Sequence, residues 1–126
     1  MASAPQQEKV SAQLRLGNVS IQVRRAETML REAGRQMEDV TVRGHKASMR
    51  EASELHMMAA DAVRDARNAI LSILEASGAG AHFEGSELQR IYRDVLTGSG
   101  HFVFDIDHAA EIYGKEIIKS HNKTSR

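Results

Sequence analysis

The sequence predicts an all-α fold, an antiparallel four-helix up-and-down bundle, and three observations carry that prediction. Apolar residues recur at alternating spacings of three and four over long stretches, the period of one face of a helix. The single proline, Pro5, stands near the N-terminus, so no later residue interrupts a helix by lacking a backbone donor. Aromatic residues make up only 4% of the chain and there is no Trp, so the core must be built from Leu, Ile, Val, Met and Ala. Such side chains suit close helix packing better than a sheet sandwich.

The first helix is expected from near Lys9 to about Val42. Its apolar series is Leu16, Val19, Val23, Ala26, Leu30, Ala33, Met37 and Val40, the seam of a helix lying nearly parallel or antiparallel to a neighbour. Arg24, Arg25, Glu27, Arg31, Glu32, Arg35, Glu38 and Asp39 form its solvated face, with pairs such as Glu27/Arg31 one turn apart. A turn at Arg43-Gly44-His45 follows, and Ser48 with Glu51 has the spacing of a capping box that opens the second helix. The second series runs Ala52, Leu55, Ala59, Ala62, Ala66, Ala69, Ile73 and Ala76, and Met58, Val63, Ile70 and Leu74 widen it. A stripe this broad and alanine-rich marks a central helix that several neighbours approach closely. It should end at Ser77-Gly78, where glycine can take the left-handed C-cap.

The stretch Gly78 to Gly85 reads as a loop, and Ser86 with Gln89 as the start of a third helix through Leu88, Ile91, Tyr92, Val95 and Leu96. Thr97-Gly98-Ser99-Gly100 should break that helix. Asp105 or Asp107 can cap a fourth, which carries Ile106, Ala109, Ala110, Tyr113 and Ile117. The expected organisation is a flexible N-terminus over 1–8, a bundle over 9–119 and a polar, basic tail over 120–126.

With 126 residues, 41% of them hydrophobic and 27% charged, the chain is of a size and balance to bury one core. Lys+Arg and Asp+Glu are both 17, so no net field recruits nucleic acid or an anionic membrane. The absence of cysteine excludes disulfides, thiolate nucleophiles and cysteine zinc sites. The first nine residues lack the apolar core of a secretory signal, and no apolar run approaches the roughly 20 residues that span a bilayer. A soluble, cytoplasmic protein is expected.

No nucleotide loop, metalloprotease motif or nucleophile elbow is present. His101, Asp105 and His108 fall at i, i+4 and i+7, but the glycines before them and the capping role of Asp105 argue against one continuous helix, so no metal is expected. His56, beside Met57 and Met58, reads as an ordinary helix residue. Arg90 and Asp94 are spaced as an ion pair, either a bare surface pair or a clamp between helices.

The second half of the chain resembles the C-terminal helical domain of acyl-CoA dehydrogenase-fold flavoproteins. Leu88, Arg90, Arg93 and Asp94 match an L-x-R-x-x-R-D element of that family, and Tyr113-Gly114 lies where its closing helix often carries such a pair. Dehydrogenases usually continue with a segment like I-Y-E-G-T. The flavin-dependent monooxygenase branch instead has a Ser-x-His whose His lies seven residues after the Asp, and Ser99-Gly100-His101 matches it. The branch often carries a His two residues after the Asp, where this chain has Leu96, and the substrate class is left open.

The resemblance implies the oxygenase component of a two-component system, with reduced flavin (FMN or FAD) supplied by a separate flavin reductase. Ser99 and His101 would then be catalytic, facing the flavin and substrate cavity, because an imidazole can give or hold a proton near neutral pH. The alternative for His101 is packing or capping at the helix break. Ser77, Gly78, Arg90 and Asp94 would contribute to cofactor binding, with the small residues approaching the flavin pyrophosphate of a neighbouring subunit. The resemblance further implies a homo-oligomer, dimer or tetramer, joined through this bundle. It also implies an N-terminal helical domain and a central β-domain, which this stretch does not include. Flavin is therefore expected only in a complete enzyme. An acyl-CoA dehydrogenase-type domain and a purely structural assembly bundle are the alternative functions.

Overall fold

A computed structural model describes residues 3–44, 46–77 and 87–126. Among these residues four α-helices follow one another: α1 (Ser3–Val42), α2 (Met49–Ser77), α3 (Glu87–Ser99) and α4 (Ile106–Thr124), with a 3₁₀ turn at Phe102–Phe104 between the last two. Among the described residues there is no strand. The all-α class and the four-helix bundle predicted from periodicity are what the chain adopts.

α1 starts at Ser3, six residues before the expected start near Lys9. Pro5 does not delay it, since in a first turn the missing N–H would have no helical acceptor. α4 likewise runs to Thr124 through most of the expected tail, where the Ser125 N–H donates to the His121 carbonyl at 3.2 Å. Between α1 and α2, Gly44 takes φ +70°, a left-handed conformation that glycine enters without the Cβ penalty. Ser48 and Glu51 then form the expected reciprocal box: the Glu51 N–H donates to Ser48 Oγ at 3.0 Å, and the Ser48 N–H donates to Glu51 Oε1 at 3.4 Å. Arg43 joins the two helices by reaching both Asp39 and Glu51. The Gly78 cap and the Ser86 start lie outside the described residues.

α2 is the central helix. It packs on α1 along one side, and on α3, the 3₁₀ turn and α4 along another. Its alanines let the neighbours approach: Ala60, Ala62 and Ala69 are almost wholly buried, as is Ala109 of α4. Asp65 of α2 faces α1, accepting two hydrogen bonds from the Arg25 guanidinium at 3.2 and 3.4 Å. Toward α4, Arg50 of α2 lies over the Tyr113 ring, 5.0 Å from its centre.

The seam predicted on α1 is only half used. Val19, Ala26 and Ala33, one heptad apart, are buried, whereas Leu16, Val23, Leu30 and Met37, also one heptad apart, remain 43–69% exposed. The reason is that α1 has extended contact with α2 alone among the described elements. One neighbour covers one row of the stripe and leaves the second row facing outward.

Candidate functional site

The helix break predicted at Gly98 to Gly100 forms, and it shapes a cavity. α3 ends in a tight turn in which the Gly100 N–H donates to the Leu96 carbonyl at 3.0 Å and the His101 N–H to the Gly98 carbonyl at 3.3 Å. A Cβ on Gly100 would come within 3.2 Å of the Leu96 carbonyl oxygen, so this position favours glycine for want of space. The Phe104 N–H donates to the His101 carbonyl at 2.9 Å and closes the 3₁₀ turn. Asp105 then caps α4, its Oδ1 accepting from the N–H groups of Asp107 and His108 at 3.0 and 3.1 Å. The predicted choice between Asp105 and Asp107 thus resolves in favour of Asp105.

This turn lies against the middle of α2. Ser99, Gly100, His101, Phe104, Asp105 and Ile106 form one wall of a cavity of about 570 Å³, and Val63, Arg64, Arg67, Asn68 and Leu71 of α2 form the other. The volume is in the range of small-molecule sites, which run to about 300–1,000 Å³. The two residues predicted to be catalytic therefore line the same cavity. The Ser99 hydroxyl donates to the Leu96 carbonyl at a long 3.4 Å. His101 Nδ1 accepts the Val103 N–H at 3.3 Å, which places the proton of the neutral imidazole on Nε2. His56 of α2 holds the turn from below, its Nε2–H donating to the Val103 carbonyl at 2.5 Å. Its ring meets that of His108 edge-on, 6.4 Å between centres. His56 is thus more than the ordinary helix residue that the local sequence suggests.

The remaining candidates lie elsewhere. Arg90 and Asp94 are both exposed on α3 and do not line the cavity. Arg90 turns back to Glu87 at 4.0 Å and leaves Asp94, so the expected i,i+4 pair does not form. Both partners are largely in water, where nothing selects one weak pair over another. Ser77 closes α2, and its side chain, like Gly78, lies outside the described residues. Among the described residues no group of three His, Cys, Asp or Glu is placed to hold a metal ion: Asp105 turns its carboxylate to the α4 backbone and interrupts the helical face that His101 and His108 would share. No described helix is long and apolar enough to cross a membrane.

Sequence patterns do not single out Arg64, Arg67 and Asn68, because alone they read as the solvated face of α2. The signal was present in their spacing: with Val63 and Leu71 they recur every three or four residues and so share a face.

Comparison with known proteins agrees with this architecture. The chain is 31% identical over 107 residues to a protein described as "Pigment production hydroxylase" from Rhodococcus sp. (strain ATCC 21145). That alignment covers 85% of this chain and 27% of the relative, so the chain spans about a quarter of that protein's length. No solved structure matches the chain significantly. The profile of the family described as "Acyl-CoA dehydrogenase, C-terminal domain" matches residues 1–106, which takes in α1, α2, α3 and the turn bearing Ser99 and His101. An all-helical chain with that match over most of its length belongs to the acyl-CoA dehydrogenase C-terminal domain family.

Proposed function

We propose that the chain is the C-terminal helical domain of a flavin-dependent monooxygenase, and that it supplies one wall of the flavin and substrate cavity. The observation that carries this reading is the convergence of Ser99 and His101 on one cavity. Its resemblance to a hydroxylase along most of its length supports the oxygenase branch.

The cavity residues fit a flavin or its aromatic co-substrate in kind. Val63, Leu71, Phe104 and Ile106 give apolar surface for a flat ring, and Ser99, His101 and Asn68 give donors and acceptors for a polar ring edge. Reduced flavin, when bound in a complete enzyme, supplies the electrons with which dioxygen is activated. With Nδ1 accepting from the Val103 N–H, the neutral ring carries its proton on Nε2, and in this reading that N–H is the donor. Ser99 gives up only a long bond to Leu96 when its hydroxyl turns to a ligand. The β-domain of the complete enzyme closes the cavity from the other side and excludes water. A separate reductase delivers the reduced flavin.

The same reading assigns the exposed row Leu16, Val23, Leu30 and Met37 to contact with a second copy. A two-fold antiparallel pairing of α1 sets Leu16 opposite Met37 and Val23 opposite Leu30, burying in the assembly what the monomer leaves in water.

The test is His101→Ala in the complete oxygenase, with product formed per reduced flavin consumed as the readout. Coupling should fall, with an upper bound at the about 10²–10⁴-fold that a positioned acid contributes, while the helical content is unchanged. Unaltered coupling would remove His101 from the mechanism. Oxidation of acyl-CoA thioesters by the same enzyme would move the domain to the dehydrogenase branch.

A further inference from the structure

The charges around the cavity are unequal in their commitments. Arg64 is engaged by Asp61 at 2.6 Å. Asp105 Oδ1 accepts from two N–H groups at the N-terminus of α4. His101 accepts at Nδ1 from the backbone. Arg67, one helical turn from Arg64 and Val63, also lines the cavity and is exposed. No carboxylate of the described residues reaches its guanidinium within ion-pair distance: the acidic groups nearest in sequence, Asp61 and Asp65, are taken by Arg64 and Arg25. Among the described residues, Arg67 is therefore a lining guanidinium with no carboxylate partner, a fork of donors whose geometry matches an oxyanion. Asn68 stands beside it, and Leu71, Phe104 and Ile106 supply apolar surface along the same cavity.

From this pattern we infer that the cavity selects a ligand with an apolar ring and one oxyanionic group, a carboxylate or a phosphate, and that Arg67 receives that group. This deepens the preceding reading, since the cavity is the one that Ser99 and His101 share. Its basis is separate: it needs only the Arg67 guanidinium without a carboxylate partner beside apolar surface, and no oxygenation step. A neutral ring would occupy the apolar surface equally well but leave the guanidinium in water, so the anion is what the site discriminates.

The test titrates the 126-residue protein, followed by NMR of backbone amides, with two matched pairs of probes: benzoate against benzyl alcohol, and FMN against riboflavin. At least one anionic member should bind about tenfold more tightly than its neutral counterpart and shift the amides of Asn68, Gly100 and His101, in keeping with a charge-assisted hydrogen bond in a partly wet site. Arg67→Gln, which keeps the helix and a donor but removes the charge, should bring the anion down to the neutral level. Arg31→Gln, an exposed change on α1 away from the cavity, should leave the preference intact and controls for net charge. Preference for benzoate alone assigns the oxyanion to a substrate carboxylate, and preference for FMN alone to a cofactor phosphate; either supports the inference. Equal binding within both pairs, equal loss in the two variants, or no saturable binding of any probe overturns it. A retained Arg67-dependent preference together with unaltered coupling in His101→Ala would refute the monooxygenase role while leaving the anion site standing.

Discussion

His56→Phe should loosen the turn that carries His101 without dismantling the bundle. His56 and Val103 are 47 residues apart, and their bond is a side-chain link between α2 and the 3₁₀ turn. An intramolecular hydrogen bond contributes about 0.5–1.5 kcal/mol net. Val103 is 36% exposed, so water can replace part of what its carbonyl loses, and the lower half of that range applies. Phenylalanine keeps an aromatic ring near His108, so packing against α4 survives and the loss isolates the bond. With a urea slope of about 1.5 kcal/mol/M for a domain of this size, the unfolding midpoint should fall by about 0.3–0.7 M with an unchanged slope. The same samples should show shifted Val103 amide and His101 imidazole resonances, and His56→Gln, which retains a donor, should recover part of both effects. A midpoint unchanged in His56→Phe, with Val103 and His101 resonances also unchanged, would refute the view that α2 positions this turn.

Two further perturbations probe the backbone and the caps. Gly44→Ala should destabilise the protein by about 1 kcal/mol because φ +70° is strained for any residue with a Cβ, whereas Gly114→Ala, inside α4 with open space around its Cβ position, should stabilise it by about 0.5–1 kcal/mol; thermal denaturation of the pair reads opposite shifts in Tm. The Glu51 carboxyl is held below the usual carboxylate range, first by the Ser48 backbone N–H, then by the Ser48 hydroxyl and Arg43. Its contribution is therefore complete above the unfolded carboxylate's pKa and is lost as pH falls through the lower folded value. Urea midpoints of the protein and of Glu51→Gln should differ at pH 7 and converge on acidification; a constant gap would show that the charge of Glu51 is not what holds the cap.

Much of this molecule was legible without a fold. The alternation of three and four, the Ser48/Glu51 box and the break at Gly98 to Gly100 are local properties, decided within one or two helical turns by backbone geometry and capping. The turn at Ser99-Gly100-His101 is likewise closed by bonds among near neighbours, although its reading as part of a site came from family resemblance and not from local geometry. Local rules fell short at the ends of α1 and α4. Tolerance for Pro5 in a first turn, with Gln6, Gln7 and Glu8 as good helix formers, carried α1 further than the pattern suggested. α4 runs on to Thr124 although Ser120, His121, Asn122 and Thr124 are weak helix formers.

Only the tertiary structure decided which residues meet. Arg67 and His56 look alike in sequence, polar positions on a long amphipathic helix, yet one lines the cavity and the other is bonded to the turn. Arg90 and Asp94 have the spacing of a pair and do not form one, because in water the choice among weak partners costs almost nothing. The two rows of the α1 seam are equally apolar, and only the position of α2 determines that Val19, Ala26 and Ala33 are covered while Leu16, Val23, Leu30 and Met37 are not. Periodicity specifies a face. What covers that face depends on how many neighbours the fold brings to it, and that is a property of the whole chain.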